Sequence, residues 1–277
     1  MRAGLVQLNS SDDPAANLPV TLGLIDDAVA QGAEFVLTPE VTNCVSGSRS
    51  HQRAVLHPED SDPTLQALRD RAAERGIWLL IGSLALKTTD PDGRFANRSF
   101  LIGPDGGIRA RYDKIHMFDV DVSPEETYRE SDGFRPGRQA VMADMPIGKL
   151  GLSICYDIRF PQLYRRLAQG GARVLTVPAA FSYVTGAAHW ESLLRARAIE
   201  NGCYVLAPAQ TGTHAASTGR TRQTHGHSLV VAPWGEVVAD GGTDPGVVMA
   251  DLDPAEIDRA RARVPSLRHD TEFDGPA

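Results

Sequence analysis

Cysteine is scarce in this 277-residue chain: there are three, Cys44, Cys155 and Cys203, and no Cys-x-x-Cys pair. An odd count without that spacing excludes a disulfide framework and a zinc ribbon. Basic charge is short as well. Lys and Arg total 28 against 35 Asp and Glu, a formal charge of −7, and no polybasic run interrupts that balance. Nucleic acid and anionic membranes are therefore not expected partners. No apolar run approaches the ~20 residues a bilayer span requires; the longest, such as Trp78–Leu86, are strand-sized. Met1–Leu8 turns polar too soon for an export signal, so a cytoplasmic location is expected. Low-complexity tracts and linkers are missing too, and the chain reads as one domain over residues 1–277. What it does have is 42% hydrophobic and 23% charged residues, the balance of a folded chain with a substantial core.

The patterning alternates short apolar runs with helical periodicity. Ala3–Leu8, Glu34–Leu37 and Ile77–Leu86 read as strands. Between them lie a helix from Ala15, with Leu18, Leu22, Ile25 and Val29 on one face, and a second opened by Asp62-Pro63 and closed by Gly76. The order repeats: strand Lys149–Ile154, helix Pro161–Gln169, strand Arg173–Val177, helix His189–Asn201, strand Tyr204–Leu206. The letters repeat as well. Gly32-Ala33 with Pro39 matches Gly171-Ala172 with Pro178, and the Pro-x-Gly hairpin in Ser99–Gly106 matches the one in Ser228–Gly235. The fold class expected is α/β, a four-layer αββα sandwich of two pseudo-equivalent halves. Thr42–Asp60, Asp119–Gly137 and Thr211–Thr224 lack periodicity and read as long, functional loops. The polar tail after about Val264 is expected either to fray or to dock on a partner subunit.

Reactive groups of layered α/β folds collect at the carboxyl ends of strands. Three such ends carry them here: Glu40 in Thr38-Pro39-Glu40, Lys114 in Tyr112-Asp113-Lys114-Ile115-His116, and Cys155 in Ser153-Ile154-Cys155-Tyr156-Asp157. A thiol needs a nearby base at neutral pH. A buried carboxylate can serve, and an ammonium aimed at the same point would lower the thiol pKa or hold an oxyanion. Arg159, four residues after Cys155, would either clamp a substrate carboxylate or sit in a helix-start salt bridge. His116, His189, His225 and His227 invite a Cys–His reading, but the sequence around Cys155 lacks such a protease's local pattern, and structural roles are expected. Glu191 and Arg195 read as an i,i+4 helix pair, and Cys44 and Cys203 as structural.

These segments, with Thr185–Ala198 and Gly226-His227-Ser228, resemble the signature segments of the nitrilase superfamily of carbon–nitrogen hydrolases across nearly the whole chain. The resemblance implies an αββα subunit that pairs into a homodimer or higher oligomer, with no cofactor and no metal. It also implies a Glu40–Lys114–Cys155 triad and a supporting glutamate. Glu130 matches that position best, with Glu125 and Glu126 close by. The backbone N–H of Tyr156 becomes the second oxyanion donor, and Phe181 and Thr185 are expected at the pocket. The branch most similar is that of the deaminated glutathione amidases, next to the omega-amidases. The small-molecule amide expected is thus the 2-oxo form of glutathione, with 2-oxoglutaramate as the alternative. A non-catalytic scaffold on the same fold is the reading from another class. Thr42–Ser46 and Ser217–Thr224 match no pattern and are expected near the pocket mouth.

Overall fold

The computed structural model describes residues 1–123 and 126–276. Its first half runs β1 (Arg2–Gln7), α1 (Pro14–Ala30), β2 (Phe35–Leu37), α2 (Arg49–Val55), α3 (Pro63–Arg75), β3 (Trp78–Leu86), β4 (Ala96–Ile102) and β5 (Ile108–Asp113). A hairpin of β6 (Asp119–Ser123) and β7 (Glu126–Arg129) follows. The second half holds β8 (Met142–Ala143), β9 (Lys149–Leu152), α4 (Pro161–Gln169), β10 (Ala172–Thr176), α5 (Tyr183–Asn201) and β11 (Tyr204–Ala207). The chain closes with β12 (Thr211–Thr213), β13 (Gln223–His225), β14 (Leu229–Val231), β15 (Val237–Asp240), β16 (Gly246–Asp251) and α6 (Pro254–Arg263).

Two six-stranded sheets carry the molecule, in the orders β16-β1-β2-β3-β4-β5 and β8-β9-β10-β11-β14-β15. Each has three parallel strands at its centre, two antiparallel strands on one side and one on the other. The repeated letters thus mark repeated positions: Pro39 and Pro178 follow β2 and β10, and the two Pro-x-Gly turns join β4 to β5 and β14 to β15.

Strand alternation sorts the layers. Ala3, Leu5, Phe35, Leu37, Leu80 and Leu101 point from the first sheet into a core shared with Leu150, Leu152 and Val174 of the second. Their neighbours Val6, Val36, Leu79, Ile81 and Phe100 face the opposite way, onto α1 and α3. Leu163 and Leu167 of α4, with Trp190 and Leu194 of α5, cover the far side of the second sheet. This is the αββα sandwich.

Several local expectations shift. The buried face of α1 is Asn17, Thr21, Ile25 and Ala28, because Asn17 turns inward to donate to the carbonyls of Ser11 and Asn43. Helix α5 begins six residues before His189, capped by the Ser182 hydroxyl, which accepts from Thr185 N. The three long loops are partly ordered: α2, the β6–β7 hairpin and the β12–β13 pair lie within them. Past Val264, Arg165 donates to Ser266 O and pairs with Asp270. No helix among the described residues is long and apolar enough to cross a membrane.

Gly82 sits where the Thr38–Pro39 turn and Pro178 of the second half leave no room for a side chain. A Cβ there would stand 2.0 Å from Thr38 O, 2.5 Å from Pro39 O and 2.5 Å from Pro178 Cβ. Backbone cannot yield that space, so Gly82→Ala is expected to cost about 3 kcal/mol or more. A lowered melting temperature, with activity falling as the Thr38–Glu40 turn is displaced, would show it.

Candidate active site

Pro39 ends β2 and delivers Glu40 between the sheets. The next residue, Val41, is held at φ +47°, a conformation β-branched side chains avoid. Cys155 has φ +47° too. It opens a short 3₁₀ turn, Cys155–Arg159, just beyond β9. Two strained residues at neighbouring strand ends mark where the fold gives up local comfort for placement.

One segment ties the two ends together. Cys155 N donates to Pro178 O at 2.9 Å, and Ala180 N donates to Glu40 Oε2 at 2.8 Å. A second tether runs through fully buried Asp157. Its carboxylate accepts from Ile154 N (2.8 Å), His116 N (3.0 Å) and Tyr112 OH (2.6 Å), and His116 Nδ1 lies 2.7 Å from it. Asp157 therefore clamps the segment carrying Lys114 to the turn carrying Cys155.

Lys114 Nζ donates to Glu40 Oε1 at 2.8 Å and to Glu130 at 2.8 and 3.0 Å, with its side chain 2% exposed. Phe118 N donates to Glu130 Oε2 at 2.7 Å. Asn97 Nδ2 donates to both carboxylates, at 2.9 and 3.2 Å. Glu130 is thus the acid brought to Lys114. Glu126 instead accepts from Tyr128 OH, and Glu125 lies outside the described residues.

Charge settles the resting state. Burial alone would push the Glu40 carboxyl up, but the Lys114 ammonium and the Arg222 guanidinium outweigh it and hold it at about 2. Burial acts to lower the Lys114 pKa; Glu130 and Glu40 outweigh it and hold the proton more firmly than usual. The Cys155 thiol is pushed well above its ordinary value, by burial first and by the Glu40 charge second. Lys114 acts to lower the thiol, in the direction expected, but burial and the Glu40 charge outweigh it. The resting cluster is a neutral thiol beside a carboxylate–ammonium–carboxylate group.

The other expected residues divide. Arg159 donates to His189 Nδ1 at 3.2 Å and lies over the rings of Tyr156 and Phe181. Phe181 is buried against Trp190. Thr185 is occupied at the α5 cap with Ser182. His116, His189 and His227 bond elsewhere than to Cys155, and His225 Nδ1 is buried without a hydrogen-bond partner among the described residues. His225 and His227 stack on each other, 4.7 Å between centroids. Glu191 and Arg195 form the helix pair, at 3.1 Å. Cys44 and Cys203 are buried, their thiols pushed up to about 12 and about 11 by burial. Asn97 and Arg222 were not anticipated; Arg222 lies in the Ser217–Thr224 stretch that matched no pattern.

A profile of the carbon-nitrogen hydrolase family matches residues 2–262. The chain belongs to this family. It is 41% identical to the deaminated glutathione amidase of Synechocystis over 269 residues, 96% of this chain and 97% of that one. The crystal structure of the NitFhit protein of C. elegans superposes with a TM-score of 0.88 at 36% identity, over 97% of this chain and 64% of that longer chain. A mutant of a Nesterenkonia amidase, showing acrylamide added at its active site cysteine, superposes with a TM-score of 0.76 at 29% identity, over 95% of this chain and 98% of that one. This member of the carbon-nitrogen hydrolase family is accordingly an amidase acting on a small-molecule amide.

Proposed function

We propose that the chain hydrolyses deaminated glutathione at its 2-oxoglutaramyl amide, releasing 2-oxoglutarate and Cys-Gly, with Cys155 as nucleophile. The observation carrying this reading is Lys114 held between Glu40 and Glu130 at the strand ends that also present Cys155. Kinship with deaminated glutathione amidases supports the substrate. Glu40 takes the thiol proton as the sulfur adds to the amide carbonyl carbon, and the carbonyl π pair moves onto oxygen. Lys114 and the Tyr156 N–H receive that oxyanion. As Lys114 turns toward it, its hold on Glu40 loosens, and the carboxylate becomes basic enough to keep the proton. Glu40 passes this proton to the departing amine when the C–N bond breaks, leaving a thioester. Water then gives a proton to Glu40 and its oxygen to the acyl carbon. The acid departs, and the sulfur recovers its proton from Glu40. Glu130 holds Lys114 in place and transfers no proton. Arg159, over Tyr156 and Phe181, is suited to the far end of the leaving dipeptide.

The test is to offer deaminated glutathione and 2-oxoglutaramate separately, assaying Cys-Gly thiol and ammonia. A higher kcat/KM for the first is expected; a large excess for the second would make the chain an omega-amidase. We also infer a homodimer in the cytoplasm. Val184 and Ile199 on α5, and Trp234, are exposed apolar side chains suited to a partner subunit, and three buried, unpaired cysteines suit a reducing compartment.

A further inference from the structure

A second cation reaches this cleft that the reaction above leaves unused. Arg222 immediately precedes β13, which pairs with β12. A bridge between Ser182 and Thr224, and the bond from His225 N to Phe181 O, lock that hairpin onto the segment following β10. The Arg222 guanidinium thereby reaches Ala180 O with Nη2. The N–H of the same residue, Ala180, is bonded to Glu40, so the cation stands one residue's backbone away from the proposed base.

Its surroundings form an arc. The Arg222 guanidinium lies 5.6 Å over the Tyr128 ring, Tyr128 lies 4.9 Å from Phe118, and Phe118 lies 5.1 Å from Tyr156, the neighbour of Cys155. Arg159 stands beyond, 6.0 Å from Tyr156. Three rings are thus flanked by a guanidinium at either end. Arg222 Nε is buried and has no hydrogen-bond partner, and no carboxylate forms an ion pair with Arg222 among the described residues. A buried guanidinium N–H without an acceptor is a costly arrangement unless a ligand completes it. Its charge is felt at Glu40 and at the Cys155 sulfur, where it favours the ionised forms.

We propose that Arg222 determines specificity by holding the carboxylate at the acyl end of the substrate, so that the site selects ω-amides of dicarboxylic acids over neutral amides. The proposal deepens the deaminated glutathione reading and rests on it. In a 2-oxoglutaramyl group the carboxylate carbon lies four bonds from the scissile carbonyl, roughly 5 Å when extended. That short reach suits the arginine felt at Cys155. Arg159, flanking the other end of the arc, is left for the leaving group. A planar fork with a free N–H matches a carboxylate in two bonds, which an ammonium cannot do.

The experiment compares glutaramate with valeramide, which differ in carboxylate against methyl, for the wild type, Arg222→Met and Arg222→Lys. The wild type should prefer glutaramate. Arg222→Met should reduce the ratio of the two kcat/KM values by roughly 10- to 100-fold, and Arg222→Lys should restore part of it. Independently, 2-oxoglutarate should protect Cys155 from iodoacetamide in the wild type, at concentrations that no longer protect Arg222→Met. A purely structural role at Ala180 O would lower both activities together. An unchanged ratio in Arg222→Met, or no wild-type preference, overturns the assignment even if deaminated glutathione is cleaved. Conversely, a ratio lost in Arg222→Met in an enzyme that ignores deaminated glutathione supports Arg222 and overturns only the substrate reading.

Discussion

Replacing Cys155 by alanine is expected to reduce amide hydrolysis by about 10⁵-fold or more while leaving the fold intact. The size follows from what is lost: the atom that forms the covalent intermediate has no substitute, and only binding and oxyanion stabilisation remain. The side chain is small and its backbone N–H keeps its bond to Pro178 O, so the thermal melt should shift little. Mass spectrometry should find an acyl adduct of the substrate on the wild-type protein at Cys155 and none on the variant. Retention of ordinary turnover by Cys155→Ala would end the thioester mechanism, and equal inertness of the wild type toward every amide would favour the scaffold reading.

Lys114→Ala should be the second most damaging change, and for two separable reasons. Loss of one oxyanion donor costs about 10²–10³ in rate. In addition, Glu40 and Glu130 would be left facing each other inside the protein without the cation both now contact. Removing one partner of a buried pair costs roughly 3–5 kcal/mol. The pH dependence separates the two. In the wild type, the Glu40 pKa is depressed from 4.5 to about 2. Its contribution to stability is therefore complete above about 4.5 and is lost as pH falls through about 2. In Lys114→Ala burial loses its larger counterweight, with Arg222 alone remaining, and the carboxyl pKa rises. The variant's stability should then be greatest at low pH and decline as pH rises through that raised value. Melting temperatures from pH 4 to 8 should show the gap between wild type and variant widening upward, and activity should stay low throughout.

The layers and the strand ends were legible from sequence because each reflects a local rule. Period-two and period-3.6 patterning identified the central strands and α3, Asp62-Pro63 and Gly76 bounded that helix, and the repeated Pro-x-Gly turns revealed the two halves. The expected triad residues all stand at strand ends, where a general rule looks for them. What escaped reading depends on distant partners. Asn97 lies on β4 with no motif around it, and its importance comes from Glu40, 57 residues away. Arg222 acquires meaning only from Ala180, 42 residues away. Helix α2 and the start of α5 were missed for a different reason. Gln52 is the only buried residue of α2, and Tyr183 and Val184 at the start of α5 are half exposed. An amphipathic signal was therefore weak or inverted there.

Strand β16, the last of the chain, pairs along β1, the first. On the ribosome, this means that strand β1 emerges with one edge unoccupied and keeps it so until β16, far downstream, has been translated. At roughly 5–20 residues per second that interval is on the order of tens of seconds, long compared with hairpin closure in microseconds. A bare edge of this kind is a template for mispairing with other nascent chains. The wiring of the first sheet thus makes translation speed and chaperone cover, rather than final stability, the stage at which this protein is most exposed to loss.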